Sequence, residues 1–133
     1  MTNYKGLNLI TLVVPTYDDA IHFFTDTMGF ELVEDTPIPE QNKRWVVVAP
    51  HPTDGSRLLL AEATNDRQRA SIGNQTGGRV GFFLHVHDLG ATVARLKAAG
   101  VRFEREPVSQ PYGDVAVMID PWGNLWDLIQ PAD

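Results

Sequence analysis

Four histidines and the absence of cysteine set the first limits on the chemistry open to this chain. Without Cys there is no thiolate nucleophile, no disulfide framework and no zinc or iron–sulfur centre built on sulfur. Two of the histidines, His85 and His87, stand two residues apart on a strand pattern, so both imidazoles point to one side. Such a pair can supply two ligands of a metal site. It can equally be a strand end near solvent, satisfied by polar neighbours. His22 lies beside Asp26 on the polar face of a helical pattern, and His51 lies in a proline-rich turn; neither receives a role. The glycine-rich run Gly73-Asn74-Gln75-Thr76-Gly77-Gly78-Arg79 is not G-x-x-x-x-G-K-[ST] and precedes a strand, which speaks against a phosphate cradle. Its glycines suit a chain crossing between two halves. No G-x-S-x-G elbow is present, so nothing points to a serine hydrolase.

The elements that must position any site come from a chain of 133 residues, 43% of them apolar. That length suits one domain, or two very small halves fused into one. Lys and Arg number 11 against 17 Asp and Glu, a net charge of −6 with no basic run. Nucleic acid and anionic membrane are therefore not expected as partners. No apolar stretch approaches the length of a transmembrane helix, and the first residues lack a signal-peptide core. A soluble, cytoplasmic protein is the expectation.

Apolar runs predict strands over Leu7–Val14, Phe30–Glu34, Arg44–Ala49 and Leu58–Ala63. Tyr17, Ala20, Ile21, Phe24 and Met28 line one side of a helix that opens on Asp18 and Asp19 and closes at Gly29. The polar stretch 64–78 reads as a linker or loop. The order then repeats: a strand over Arg79–His87, a helix over Leu89–Ala99 capped by Asp88 and closed by Gly100, and strands at Val101–Glu104, Val115–Ile119 and Leu125–Gln130. Each half is β-α-β-β-β, about 5–64 and about 79–131, within one domain spanning 1–133. One helix covers one face of a four-stranded sheet; the other face must meet something else or enclose something.

On this doubled module, and on two stretches within it, the chain resembles the vicinal oxygen chelate superfamily of glyoxalase I, extradiol dioxygenases and bleomycin-resistance proteins. Phe23-Phe24-Thr25-Asp26-Thr27-Met28-Gly29-Phe30 is similar to that family's FY-x-x-x-LGF. Asp120-Pro121-Trp122-Gly123-Asn124-Leu125-Trp126-Asp127-Leu128 is similar to its DPxGN-x-(hydrophobic)-E/D-L. The resemblance implies an α+β fold of two paired β-α-β-β-β modules, whose curved mixed sheets surround a cavity. It also implies a homodimer. Enzymes of the family hold a divalent metal on residues of the first and last strand of each half. By counting, those positions fall here on Leu9, Leu59, Gly81 and Asp127, of which only Asp127 carries a donor. One carboxylate falls short of a catalytic metal site, so no metal and no other cofactor is expected. A divalent metal on a displaced site that uses His85 or His87 is the alternative. The arginine that resemblance to glyoxalase I would place in the first strand aligns with Val13, which speaks against glutathione as a substrate.

Strand alternation then directs Leu9, Thr11, Val13, Leu59, Ala61, Gly81, Phe83, His85, Leu125 and Asp127 toward the implied cavity. Gly81 is expected to leave room for a ligand, Trp45 and Tyr112 to add an aromatic wall and a hydroxyl, and Trp122 and Trp126 to be structural. Asp127, among leucines, is expected to have a raised pKa. It suits a general base or a grip on a cationic group, or else a structural carboxylate bonded to neighbours. The function expected is binding of a small organic molecule. The alternative is a lyase, isomerase or dioxygenase of the superfamily.

Overall fold

The computed structural model describes residues 2–133, in two compact units that divide between Arg69 and Ala70. The first unit holds β1 (Leu9–Val14), α1 (Tyr17–His22), β2 (Glu31–Ile38), β3 (Lys43–Ala49) and β4 (Arg57–Glu62). A short helix α2 (Asp66–Ser71) spans the division. The second unit holds β5 (Val80–His85), α3 (Leu89–Ala98), β6 (Arg102–Gln110), β7 (Gly113–Ile119) and β8 (Leu125–Pro131). Each unit has one mixed four-stranded sheet, with strand orders β1-β4-β3-β2 and β5-β8-β7-β6. In both, the first strand runs parallel to the last and the remaining pairs are antiparallel. The doubled β-α-β-β-β module read from the sequence is therefore the architecture. No helix among the described residues is long and apolar enough to cross a membrane.

In the first unit, Leu12, Val14, Val46, Val48, Leu58 and Leu60 are buried on the face that α1 covers, together with Ala20, Phe24 and Phe30. Thr16 caps α1 by accepting from the Asp19 N–H at 3.3 Å. The α-helix then gives way to a π-turn over Phe23–Thr27, with the Met28 N–H donating to the Phe23 carbonyl at 2.9 Å. The wider turn accommodates one extra residue. It puts Phe23 in the core beside Phe24, whereas a continuous 3.6 period leaves Phe23 off the apolar face and Ile21 on it. Phe23 is buried and Ile21 only half-buried.

Edge strands run longer than the apolar pattern. β2 continues to Ile38 and β6 to Gln110, through Pro37 and Pro107. Proline is tolerated on an edge because its missing donor faces away from the sheet.

Both units fasten their helix with the same device. The last strand ends in a polar side chain that accepts from the first N–H of the helix: Glu62 from Tyr17 at 3.0 Å, and Gln130 from Leu89 at 2.8 Å. Each bond satisfies a donor that a helix cannot satisfy internally. In the second unit Asp88 caps α3 by accepting from Ala91 at 3.0 Å, and Leu89, Val93 and Leu96 are buried beneath it. Arg44 fastens the first unit from outside. Its guanidinium grips Asp35 at 2.7 and 3.1 Å, meets Asp18 at 2.9 Å and lies over the Tyr17 ring.

The β7–β8 turn is built around Asp120, which is 1% exposed. One carboxylate oxygen accepts from the backbone N–H groups of Trp122, Gly123 and Asn124 at 3.1, 3.0 and 2.9 Å. The other accepts from the Asn124 side-chain amide at 2.8 Å and from the Trp126 indole at 3.1 Å. Gly73 closes against this turn. A β-carbon there would stand 1.8 Å from the Trp122 carbonyl oxygen, so the glycine is required by close approach. Asp120→Ala strips acceptors from several buried donors. It should cost about 3 kcal/mol or more, read as a lowered denaturation midpoint in urea with an unchanged slope.

Candidate functional site

Strand register lays out, residue by residue, the sheet face that each helix leaves alone. In the second unit Phe83 stands opposite Asp127, Asp127 opposite Val117 and Val117 opposite Arg105, one row across all four strands. The row on one side is His85, Ile129, Val115 and Val108; on the other it is Val80, Leu125, Ile119 and Arg102. The floor is apolar: Val115, Val117 and Ile129 are buried, while Phe83 is 63% exposed. His85, Arg102 and Arg105 are exposed and Asp127 is half-buried.

Asp127 is the polar group at the centre. Neither it nor Arg105 makes a side-chain hydrogen bond or close ion pair among the described residues. Burial pushes the Asp127 carboxyl above its usual value, and the positive charge of Arg105 partly opposes the rise. A carboxylate on a mostly apolar floor with unfilled acceptor sites can take a proton, or accept from an ammonium, hydroxyl or amide of a guest.

The matching row of the first unit is Thr11, Leu59, Val47 and Glu34. Leu59 thus occupies the place that Asp127 holds in the second unit. Leu9, Val13 and Ala61 share this face, and so does Trp45, half-buried opposite Thr36.

Three expectations need correction. Gly81 is the extra residue of a β-bulge: Val80 pairs with Leu125 and Phe82 with Trp126. It drops out of the simple alternation, and a β-carbon on it would meet the Thr76 methyl at 3.0 Å, so Thr76 and not open space lies beside it. Tyr112 sits at the tip of the β6–β7 hairpin, 56% exposed; Gly113, its neighbour, is four residues or roughly 13 Å along β7 from Val117. It does not wall Asp127. His87 lies beyond the end of β5 and does not share the strand face of His85. Arg105 went unread in the sequence. Its signal was a charge on the strand next to β7, but bulges after Phe103 and Arg105 hide which way it faces. Trp126 is structural as expected, stacked on Phe82 with ring centroids 4.2 Å apart.

The four positions counted for a metal hold Leu9, Leu59, Gly81 and Asp127. Leucine and glycine side chains offer no donor atom, and no group of three His, Asp or Glu side chains stands together among the described residues. The donor set does not fit a divalent ion.

Comparison with known proteins accords with this architecture. Residues 6–128 match the family model described as the Glyoxalase/Bleomycin resistance protein/Dioxygenase superfamily. An uncharacterized protein of Shewanella frigidimarina (strain NCIMB 400) is 49% identical over 124 residues, 93% of this chain and 92% of its own. Among solved structures, TnmS3, described as an antibiotic binding protein from Streptomyces sp. CB03234, is similar with a TM-score of 0.79 and 28% identity, covering 99% of this chain and 100% of its own. UcmS2 is similar with a TM-score of 0.80 and 32% identity, covering 95% of this chain and 98% of its own.

The raised Asp127 pKa carries a stability consequence with a definite sign. Between the unfolded value and the higher folded value, the native state holds more protons than the unfolded chain, so stability falls as pH rises through that window. Asp127→Asn removes the burden. Its melting temperature should exceed that of the parent at pH 7, and the gap should close as pH drops below the unfolded carboxyl value. A constant gap across pH would contradict the assignment.

Proposed function

Since the chain belongs to the glyoxalase/bleomycin resistance protein/dioxygenase superfamily, we propose that it binds a small organic molecule on the sheet faces its helices leave alone, and does so without the metal that enzymes of the superfamily use. The observation that carries this reading is the row Phe83, Asp127, Val117: an exposed aromatic ring and a half-buried carboxylate with no side-chain hydrogen bond among the described residues, set on an apolar floor. Apolar surface with a few placed polar groups is the usual make-up of a small-molecule site. The likeness to TnmS3, described as antibiotic-binding, supports the same class of ligand. Leu9 and Leu59 support the metal-free half of the proposal, because they put hydrocarbon where the chemistry of an enediolate or bound dioxygen would need donors.

In this reading Phe83 supplies a stacking surface and Asp127 fixes orientation. Ring stacking contributes about 0.5–1.5 kcal/mol beyond burial. The accompanying test screens flat aromatic compounds by thermal shift, on protein first dialysed against a chelator. A compound held at about 100 times its Kd should stabilise the protein by about 2.7 kcal/mol, and Phe83→Ala should weaken that compound about ten-fold. Elemental analysis of the untreated protein should give far less than one equivalent of Zn, Ni, Mn or Fe, and chelation should leave the melting temperature where it was. A full equivalent of any of these, lost on chelation together with thermal stability, would overturn the metal-free reading and favour an enzyme with a displaced metal site.

A further inference from the structure

We infer that Arg105 is a specificity-determining residue, and that the face of the second unit selects an amphoteric ligand, one that carries an ammonium group at one end of a flat body and a carboxylate or similar anion at the other. The inference rests on the small-molecule reading above and narrows it to a chemical class.

The arrangement that carries it is the row itself. Asp127 and Arg105 sit on β8 and β6 with β7 between them, both in register with Val117. Two strand spacings separate their backbones, about 9.5 Å, and the gap between them is floored by a valine side chain. No ion pair joins them among the described residues. Each therefore keeps its hydrogen-bonding capacity for a guest. Arg102 stands on the same edge and the same face, opposite Ile119, and its positive charge reinforces the anionic preference of that side. At the other side Phe83 flanks Asp127 directly, and an aromatic face beside a carboxylate favours a cation twice over.

The first unit shows what the same backbone does without this charge pattern. Its matching row reads Thr11, Leu59, Val47, Glu34. There the centre is hydrocarbon and the edge is an acid that accepts from Thr36 at 2.9 Å. In that sheet no guanidinium faces a carboxylate across the valine, so the amphoteric preference belongs to the second unit alone. A guest that spans the row gains a charge-assisted hydrogen bond at each end, and a guest with one charge gains one. A guest with neither gains only the floor.

Four probes that share one ring separate these cases: 4-(aminomethyl)benzoate, benzylamine, 4-methylbenzoate and toluene, each titrated by ligand-observed NMR against the intact chain and against Arg105→Gln. The expected result is that 4-(aminomethyl)benzoate binds about ten-fold more tightly than either singly charged probe. In Arg105→Gln that advantage over benzylamine should vanish, while benzylamine binds at least as tightly as before because a nearby positive charge is gone; Arg105 is exposed, and a circular dichroism melt checks that the variant is folded. If benzylamine matches the amphoteric probe on the parent protein, or all four bind alike, the inference fails while small-molecule binding stands. If none of the four binds, toluene included, both readings fail together.

Discussion

A four-stranded sheet has two faces, and a single short helix can cover one of them. Everything distinctive about this protein follows from that shortage, met twice in one chain. In each unit the helix side is occupied by tightly buried aliphatic and aromatic residues, Leu12, Val14 and Leu60 in the first and Met118, Trp126 and Leu128 in the second. The cost of ordering the chain is offset mainly there. The opposite face is also largely apolar, and apolar surface that its own helix does not bury must find another use. In the second unit that face carries a row of aromatic, acidic, aliphatic and basic side chains.

Two aspartates seven residues apart show how differently the fold engages the same functional group. Asp120 accepts five hydrogen bonds within its own turn. Both its oxygens are engaged by N–H donors, which leaves no acceptor site for a ligand. Asp127 lies on the next strand, on the other face, with no bond of that kind among the described residues and with a carboxyl that burial pushes upward. The first makes the β7–β8 hairpin rigid, and the hairpin in turn fixes the position of the second. Trp126 links the two roles: its indole donates to Asp120 while its ring packs on Phe82. The Asp127 carboxylate is thereby held on a strand whose neighbours are locked, the pre-organisation that the proposed binding role calls for.

Much of this was legible in the amino-acid sequence, for physical reasons. The repeat was readable because helix and strand periods differ and because Gly29 and Gly100 mark both helix ends with positive φ. Asp88 as a cap, the core triad Leu89, Val93 and Leu96, and the placement of Asp127, Phe83 and His85 on one face came from the same periodicities. What stayed hidden was each break of period. The π-turn brings Phe23 inward, the bulge at Gly81 takes that residue out of the alternation, and the bulges in β6 conceal the direction of Arg105. A bulge depends on which strand lies alongside, so nothing local announces it. The helix Asp66–Ser71 was missed because all its residues but Ala70 are polar and none is buried. Prolines in β2 and β6 read as loop, although an edge strand admits them.

The central claim is that a small guest is held by the second sheet on the face away from its helix, and by protein side chains alone. The most direct measurement is amide chemical-shift mapping of chelator-treated, isotope-labelled protein, titrated with an aromatic compound that stabilises it. The account predicts that shifts concentrate on β5, β7 and β8 around Phe83, Val117 and Asp127, and that the α3 amides stay still. Shifts confined to the helix side, or binding that returns only when a divalent ion is restored, would contradict it.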